Sequence, residues 1–441
     1  MSNKRFINPS GFPENLPAGQ VIEDSLKATI QQIAESYGYS RLETASVEYL
    51  DTLASKGDID KEIYTLGRAL AEGDGTESDR GLHFDLTVPL ARYVAQHQGE
   101  LWFPYRRYQV QKVWRGERPQ KGRFREFYQA DIDVVGRENL PLAFDAEVAL
   151  VMAHILSSFA IGSITMKINN RKFLQGVCSA LGVEDVARAL QIIDKLDKIG
   201  ESEVKRLLIE EVGLVDSASE KLFTIIANPV PADQVEVFLA SLSMNNEQID
   251  TGIYELQHVF SILTQSSLPE SVAIVFDPSI ARGLDYYTGT VYETTVDGFE
   301  QYGSICSGGR YADLASRFTN QTLPGVGMSI GLTRLLAIIQ AEGLRSFSAQ
   351  TRTDLTLCLL DEEQLIPSLQ VAALLREKGL NVEMNYKPSV GLGKQLDQVK
   401  QKGIHRALVC ERDGNFTLFN LLTGQKQLCA NMTELLAALS D

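Results

Sequence analysis

No apolar run in this chain approaches the roughly 18 residues that a spanning helix needs, so neither a transmembrane segment nor a membrane partner is expected. The opening stretch MSNKRFINPSGFPENLPAG has no apolar core, and no signal peptide is expected. The five cysteines (Cys178, Cys306, Cys358, Cys410 and Cys429) lie far apart and form no CxxC pair. Their spacing argues against a zinc ribbon and a dense disulfide framework. It fits a reducing, cytoplasmic compartment. The five histidines are scattered without an HExxH, so no protein-held transition metal is expected. Internal repeats and low-complexity segments are missing as well.

What remains is an ordinary globular composition: 441 residues, 44% hydrophobic and 22% charged, enough for two or three domains. The net charge of −15, taken as a sum, disfavours a nucleic-acid partner. Phosphate binding needs only a local basic surface, however. The segment Tyr105 to Arg125 carries Arg106, Arg107, Lys112, Arg115, Arg118, Lys121, Arg123 and Arg125, with Glu117 its sole acid. One concentrated basic strip on an acidic body fits a protein that meets a polyanion at one place. A solvated charged hairpin would read the same way.

Periodicity organises the chain. Ile22, Leu26, Ile30, Ile33 and Tyr37 recur at helical spacing and predict a helix over Ala18 to Tyr37, stopped by Gly38. YSRLETASVEYL reads as a strand, and a helix is expected from Val88 to Gln98. WFPYRRYQVQKVWRG and FREFYQADIDVVG read as two strands around the loop ERPQKGR. Leu142 to Phe159 is an apolar helix, followed by the strand SITMKI. Helical periods then dominate to about residue 267, and strands return at SVAIVFD and TGTVYETTV. GLRSFSAQTR reads as a linker, after which strand and helix alternate as in a small α/β domain. The expected division is therefore 1–342, interrupted by a helical insertion at 170–267, a linker at 343–352, and 353–441.

Four short segments carry the chemical information. RGLDYYTGTVYE (Arg282 to Glu293) sets an Arg-Gly and paired tyrosines at a strand entrance. SGGRY (Ser307 to Tyr311) has two glycines that let backbone approach a ligand. GVGMSIGLTRLL runs from Gly325 into a helix bearing Arg334. FDLTVPLARY places Asp85 and Thr87 two apart. Alone, each has a plain reading. Asp-x-Thr is a helix N-cap, Asp133 a strand-end acid, the tyrosines core aromatics, Arg334 a solvated side chain and His83 structural. The glycines at 325, 327 and 331 do not match the dinucleotide fingerprint.

Together and in this order, the segments resemble the histidyl-tRNA synthetase family, a branch of the class II aminoacyl-tRNA synthetases. RGLDYY and SGGRY resemble its two histidine signatures, KVWRGERPQKGRFREFYQADIDVVG its motif 2, and GVGMSIGLTRLL its motif 3. The resemblance covers nearly the whole chain. It implies an α+β fold, with an antiparallel sheet flanked by helices, an inserted helical domain that touches the tRNA acceptor arm, and a C-terminal α/β anticodon-binding domain. It implies a homodimer that joins L-histidine to tRNA(His) through a histidyl-adenylate made from ATP, with Mg²⁺ accompanying the ATP.

The chemistry of that reaction asks for positioning and charge stabilisation, because the attacking carboxylate belongs to the substrate. A planar guanidinium suits the α-phosphate, and the resemblance assigns Arg115 and Arg282 there. It assigns Arg334 to the ATP phosphates and Glu117 to the adenine end. The substrate ammonium needs acceptors, for which it implies Asp85, Thr87 and Gln129. Asp133 and Tyr287 would address the imidazole, with Tyr311 nearby and Tyr286 lining the pocket. Lys121, Arg123 and Arg125 would meet the tRNA acceptor end. Two positions depart from the family pattern: Ala45 stands where motif 1 normally has proline, and Thr333 where many members have glutamate. A rival reading is the synthetase-like regulatory subunit of ATP phosphoribosyltransferase. Such chains typically lack the anticodon-binding domain and erode the catalytic motifs, whereas this one keeps both. A third reading, a tRNA-independent amino-acid ligase, leaves the C-terminal domain without a purpose.

Overall fold

Two stretches rich in aromatic and β-branched residues flank the basic loop and form the longest strands. The computed structural model describes residues 7–54, 62–67, 79–120, 122–244, 246–281, 287–312, 315–346 and 348–440. The first strands are β1 (Ser40–Arg41), β2 (Val47–Tyr49), β3 (Arg80–Leu82), β4 (Tyr105–Trp114), β5 (Glu126–Val135) and β6 (Ile164–Asn170). β7 (Val230–Pro231), β8 (Val272–Phe276), β9 (Thr290–Val296), β10 (Cys306–Tyr311) and β11 (Gly325–Gly331) follow. Nine of these form one sheet, ordered β1-β4-β5-β11-β10-β9-β6-β8-β7. From β4 to β6 every pairing is antiparallel. β1 joins β4, and β8 joins β6, in parallel. This is the α+β sheet expected from the sequence, with parallel pairings that its pattern does not announce.

Element boundaries follow local chemistry. The first helix runs Pro17–Ser36, and Gly38 at φ 80° supplies the left-handed residue beyond its end. The helices Thr87–His97 and Ala143–Ser158 fall where the apolar periods predict them. YSRLETASVEYL is not one strand. Only Ser40–Arg41 and Val47–Tyr49 are extended ladders, and they belong to different sheets. Between them, Thr44 and Ser46 bond the side chains of Gln109 and Gln111 on β4.

The chain divides into two compact units, Met1–Glu14 with Leu26–Glu342, and Asn15–Ser25 with Gly343–Asp441. The helices between β6 and β8, from Arg171–Ala180 to Glu247–Gln265, belong to the first unit. The second unit contains β12 (Leu355–Cys358), β13 (Val382–Asn385), β14 (Arg406–Cys410), β15 (Phe416–Asn420) and β16 (Lys426–Cys429), ordered β13-β12-β14-β15-β16. Alternate residues of these strands feed two cores. Leu355, Leu357 and Leu408 pack with helix Leu365–Glu377, while Cys358, Ala407 and Val409 pack with helix Leu392–Gln401. Burial on both faces is why β12 and β14 read as nearly continuous apolar runs. No helix among the described residues is long and apolar enough to cross a membrane.

In the first unit one buried ion pair fastens a helix to the sheet. Arg310 on β10 reaches both carboxylate oxygens of Asp145, in the first turn of helix Ala143–Ser158, at 2.5–3.1 Å. Its other N–H groups donate to the Leu140 and Pro141 carbonyls, both at 3.1 Å. Asp145 is fully buried, so removing its partner strands a charge. Arg310→Met is expected to lower the stability of the unit by about 3–5 kcal/mol, measured by urea unfolding with a probe in that unit. A loss below about 1 kcal/mol, the scale of an exposed pair, would show that the pair does not fasten the helix.

Candidate active site

The β4–β5 register aligns polar residues in facing columns. Arg107 lies opposite Asp133, Gln109 opposite Asp131, and Gln111 opposite Gln129. Across β5, Gly327, Ser329 and Gly331 of β11 face the same three residues of β5. Side chains alternate between the faces of a sheet, so one face carries this polar set. The other carries Ala130, Ile132, Val134, Val326, Met328 and Ile330, all buried.

The polar face is nearly dry at one end. Arg107 is fully buried and pairs with Asp133 at 2.8 Å and Asp131 at 3.7 Å. Burial works against its charge, but the two carboxylates outweigh that and hold the guanidinium above its usual range. Burial likewise pushes the Asp131 carboxyl up to about 7, against the opposing pull of Arg107. Asp133 also accepts the Tyr311 hydroxyl at 3.3 Å. Tyr287 is held strongly in its protonated form, first by burial and then by the field of Asp133, Asp131 and Asp85. Two glycines make room. A side chain at Gly327 would collide with the Asp133 carboxylate, and one at Gly309 would lie 2.6 Å from the Tyr287 ring.

Next to this cluster a cavity of about 140 Å³ opens, walled by Arg115, Glu117, Arg123, Gln129, Ser329 and Arg334 among others. Arg115 donates Nε–H to the Phe84 carbonyl at 3.0 Å, and its guanidinium lies 5.1 Å over the Phe127 ring. Arg334 bridges the loop between β4 and β5 to a second turn, donating to the Gly122 carbonyl (2.8 Å) and the Ser304 carbonyl (2.5 Å). Gln129 donates to Ser329 Oγ at 2.7 Å. Its Oε1 is buried with no hydrogen-bond partner among the described residues.

The sequence-selected residues thus fall into two neighbouring groups. Arg115, Glu117, Gln129 and Arg334 wall the cavity. Asp85, Asp133, Tyr287 and Tyr311 gather beside the buried guanidinium. Thr87 begins the helix whose Val88 N–H donates to Asp85, so Asp85 also serves as the cap that its spacing suggests. Of the residues assigned to tRNA, Arg123 pairs with Glu117 at 3.2 Å and walls the cavity, while Arg125 donates to the Glu117 carbonyl. Arg282, Tyr286 and Lys121 lie outside the described residues.

The basic strip is not one surface. Arg106 pairs with Glu147, Lys112 with Glu126, and Arg107 is internal. Among the described residues of the strip, the exposed cations are Arg118 and Arg123 in the loop. Sequence reading missed Arg107 and Asp131 because the strip and the strand-end acids concealed them. The available signal was polar residues at every second position of both strands. His83 is structural, as its position implied: its ring donates to the Lys112 carbonyl at 2.7 Å, and burial lowers its basicity. Thr333 has a local use, since its hydroxyl accepts the Tyr128 N–H at 2.8 Å.

The chain is similar to known proteins over nearly its whole length. Residues 11–335 match the family model described as histidyl-tRNA synthetase. A histidine–tRNA ligase of Thermobifida fusca is 46% identical over 408 residues, 92% of each chain. A crystal structure of histidyl-tRNA synthetase from Nostoc superposes with a TM-score of 0.90 at 38% identity, covering 99% of both chains. A Bacillus halodurans structure titled as an ATP phosphoribosyltransferase regulatory subunit/histidyl-tRNA synthetase superposes at 0.73 with only 19% identity, a likeness of fold alone. Sequence, fold and the order of the site segments agree: the chain belongs to the histidyl-tRNA synthetase family.

Proposed function

We propose that this chain ligates L-histidine to tRNA(His) in two steps. Histidine and ATP first give histidyl-adenylate and pyrophosphate, and the histidyl group then passes to the tRNA 3′ end. ATP enters as its Mg²⁺ complex, so the metal arrives with the substrate. The observation that carries this reading is one cavity walled by three arginines and an unpartnered amide oxygen, opening beside a buried carboxylate.

The assigned roles follow from the chemistry of each group. A neutral imidazole has one N–H donor and one acceptor nitrogen. Asp133 supplies an acceptor, and the protonated Tyr287 hydroxyl supplies a donor. The ammonium is addressed by Gln129 Oε1, Asp85 and Thr87. Arg115 and Arg282 neutralise charge as it builds on the α-phosphate, Arg334 holds the outer phosphates and Glu117 the adenine end. Tyr286 and Tyr311 complete the histidine pocket, while Lys121, Arg123 and Arg125 serve the acceptor end. Selectivity rests on the buried polar pair, because a ring without the N–H would leave Asp133 unmatched.

The domain roles belong to the same proposal: a catalytic domain over 1–342, a helical insertion at 170–267 against the acceptor arm, a linker at 343–352, and an anticodon-binding domain at 353–441. A homodimer in the cytoplasm completes it. Five free, buried cysteines are in keeping with a reducing compartment. The regulatory-subunit reading has no observation in its favour, since the cavity keeps Arg115 and Arg334.

The purified protein is expected to support histidine-dependent exchange of pyrophosphate into ATP and to charge unfractionated tRNA with histidine alone among the amino acids. Absence of exchange with histidine and Mg²⁺ would refute the enzyme reading. Arg115→Ala is expected to slow adenylation by about 10²- to 10³-fold; a change under about threefold in single-turnover rate would remove it from the catalytic set. Gly327→Ala drives a methyl into the Asp133 carboxylate. It is expected to raise KM for histidine about tenfold or more while KM for ATP stays within about twofold, on the scale of one displaced hydrogen-bonding group. An unchanged KM for histidine would place the imidazole elsewhere.

A further inference from the structure

Arg107 is the least expected residue of the polar face. Burying two carboxylates against one guanidinium is a poor way to stabilise a sheet, because desolvation offsets the attraction and apolar residues of similar volume would do as well. The arrangement therefore calls for a use. Its geometry supplies one. Arg107 Nη2 lies 2.8 Å from Asp133 Oδ2. The same nitrogen donates to the Leu86 carbonyl at 3.4 Å, and Nη1 donates to Gln109 Oε1 at 3.1 Å. Leu86 stands between Asp85 and Thr87.

One rigid, planar fork thus touches the acceptor assigned to the imidazole and the backbone between the two residues assigned to the ammonium. We propose that Arg107 is a positioning residue for amino-acid selection, fixing the distance between the ammonium and imidazole subsites and holding the Asp133 carboxyl oriented between them. The proposal rests on the function above, and it concerns how that site measures its substrate.

Several features of the surroundings fit a measuring role. Asp133 is held from two directions, by Arg107 on Oδ2 and by the Tyr311 hydroxyl on Oδ1, which leaves its carboxylate little freedom to rotate. Arg107 in turn is held by Gln109, whose amide donates to Thr44 Oγ1 at 3.0 Å and to Gln111 Oε1 at 2.6 Å. A guanidinium can make these contacts together, whereas the ammonium of lysine is a single point charge on a flexible stem. The polar chain therefore runs from the Thr44 segment through β4 into the pocket without touching the cavity in which ATP would sit.

The test is a double-mutant cycle on the full chain: Arg107→Gln, Asp133→Asn and both together. It is read by KM for histidine and for ATP in pyrophosphate exchange and by calorimetric binding of histidinol, which carries the ammonium and imidazole but no carboxylate. Arg107→Gln is expected to raise KM for histidine and Kd for histidinol about ten- to a hundredfold, the scale of a lost charge-assisted hydrogen bond. KM for ATP stays within about twofold. In the Asp133→Asn background the same change is expected to add less than about threefold. If Arg107→Gln does not melt cooperatively, Arg107→Lys carries the test with the same expected split. A histidine KM within about threefold of wild type, a parallel rise in KM for ATP, or additive effects across the cycle would each overturn the proposal. These outcomes are separable from failure of the functional reading, which would appear in the wild-type protein as absence of histidine-dependent exchange.

Discussion

A carboxylate buried in a protein needs a counter-charge or hydrogen-bond donors buried with it. Much of the first unit is arranged around that constraint. Asp133 is buried on β5, and the hairpin register sets Arg107 directly opposite it, 2.8 Å from its carboxyl. The guanidinium has its own requirements, which Gln109 and the Leu86 carbonyl meet. The second of these contacts reaches the residue that caps the helix bearing Thr87. One desolvated charge thereby links two strands and a helix start.

The site divides its labour by polarity of environment. Toward Arg115 and Arg334 the cavity is open, and both guanidinium groups donate to backbone carbonyls. Toward Asp133 the surroundings are closed, the tyrosine hydroxyls are kept protonated, and recognition depends on matched hydrogen bonds. A nucleotide phosphate suits the first environment and a small heteroaromatic ring the second. Gln129 and Ser329 stand at the border, where their side chains bond each other across β5 and β11.

The sequence made some of this legible and hid the rest for physical reasons. Asp85, Gln129, Asp133 and Tyr311 could be named because the ordered segments resemble a family, and the structure places Gln129 and Asp133 on β5, Tyr311 on β10 and Asp85 just before the helix Thr87–His97. The α/β character of the second unit was readable because its strands are buried on both faces and therefore continuously apolar. Its last two strands and final helix escaped, since β16 is mostly exposed and carries no periodic signal. Arg107 sat within a run of cations, and nothing local separates a buried arginine from a solvated one. That distinction comes from strand register, which is a long-range property. The YSRLETASVEYL segment failed for a related reason: its central residues bond side chains of β4, so strand propensity was a poor guide to their conformation.

Two glycines of the polar face also bear on redesign. Opposite the Asp133 carboxylate the wall is the bare backbone of Gly327, and against the Tyr287 ring it is that of Gly309. There is no side chain there to trim, so the pocket cannot be widened in that direction by substitution. Room for a bulkier group would have to come from the tyrosines at 287 and 311, and shortening Tyr311 would also remove its hydrogen bond to Asp133. The pocket is thus one that mutation can narrow more readily than enlarge.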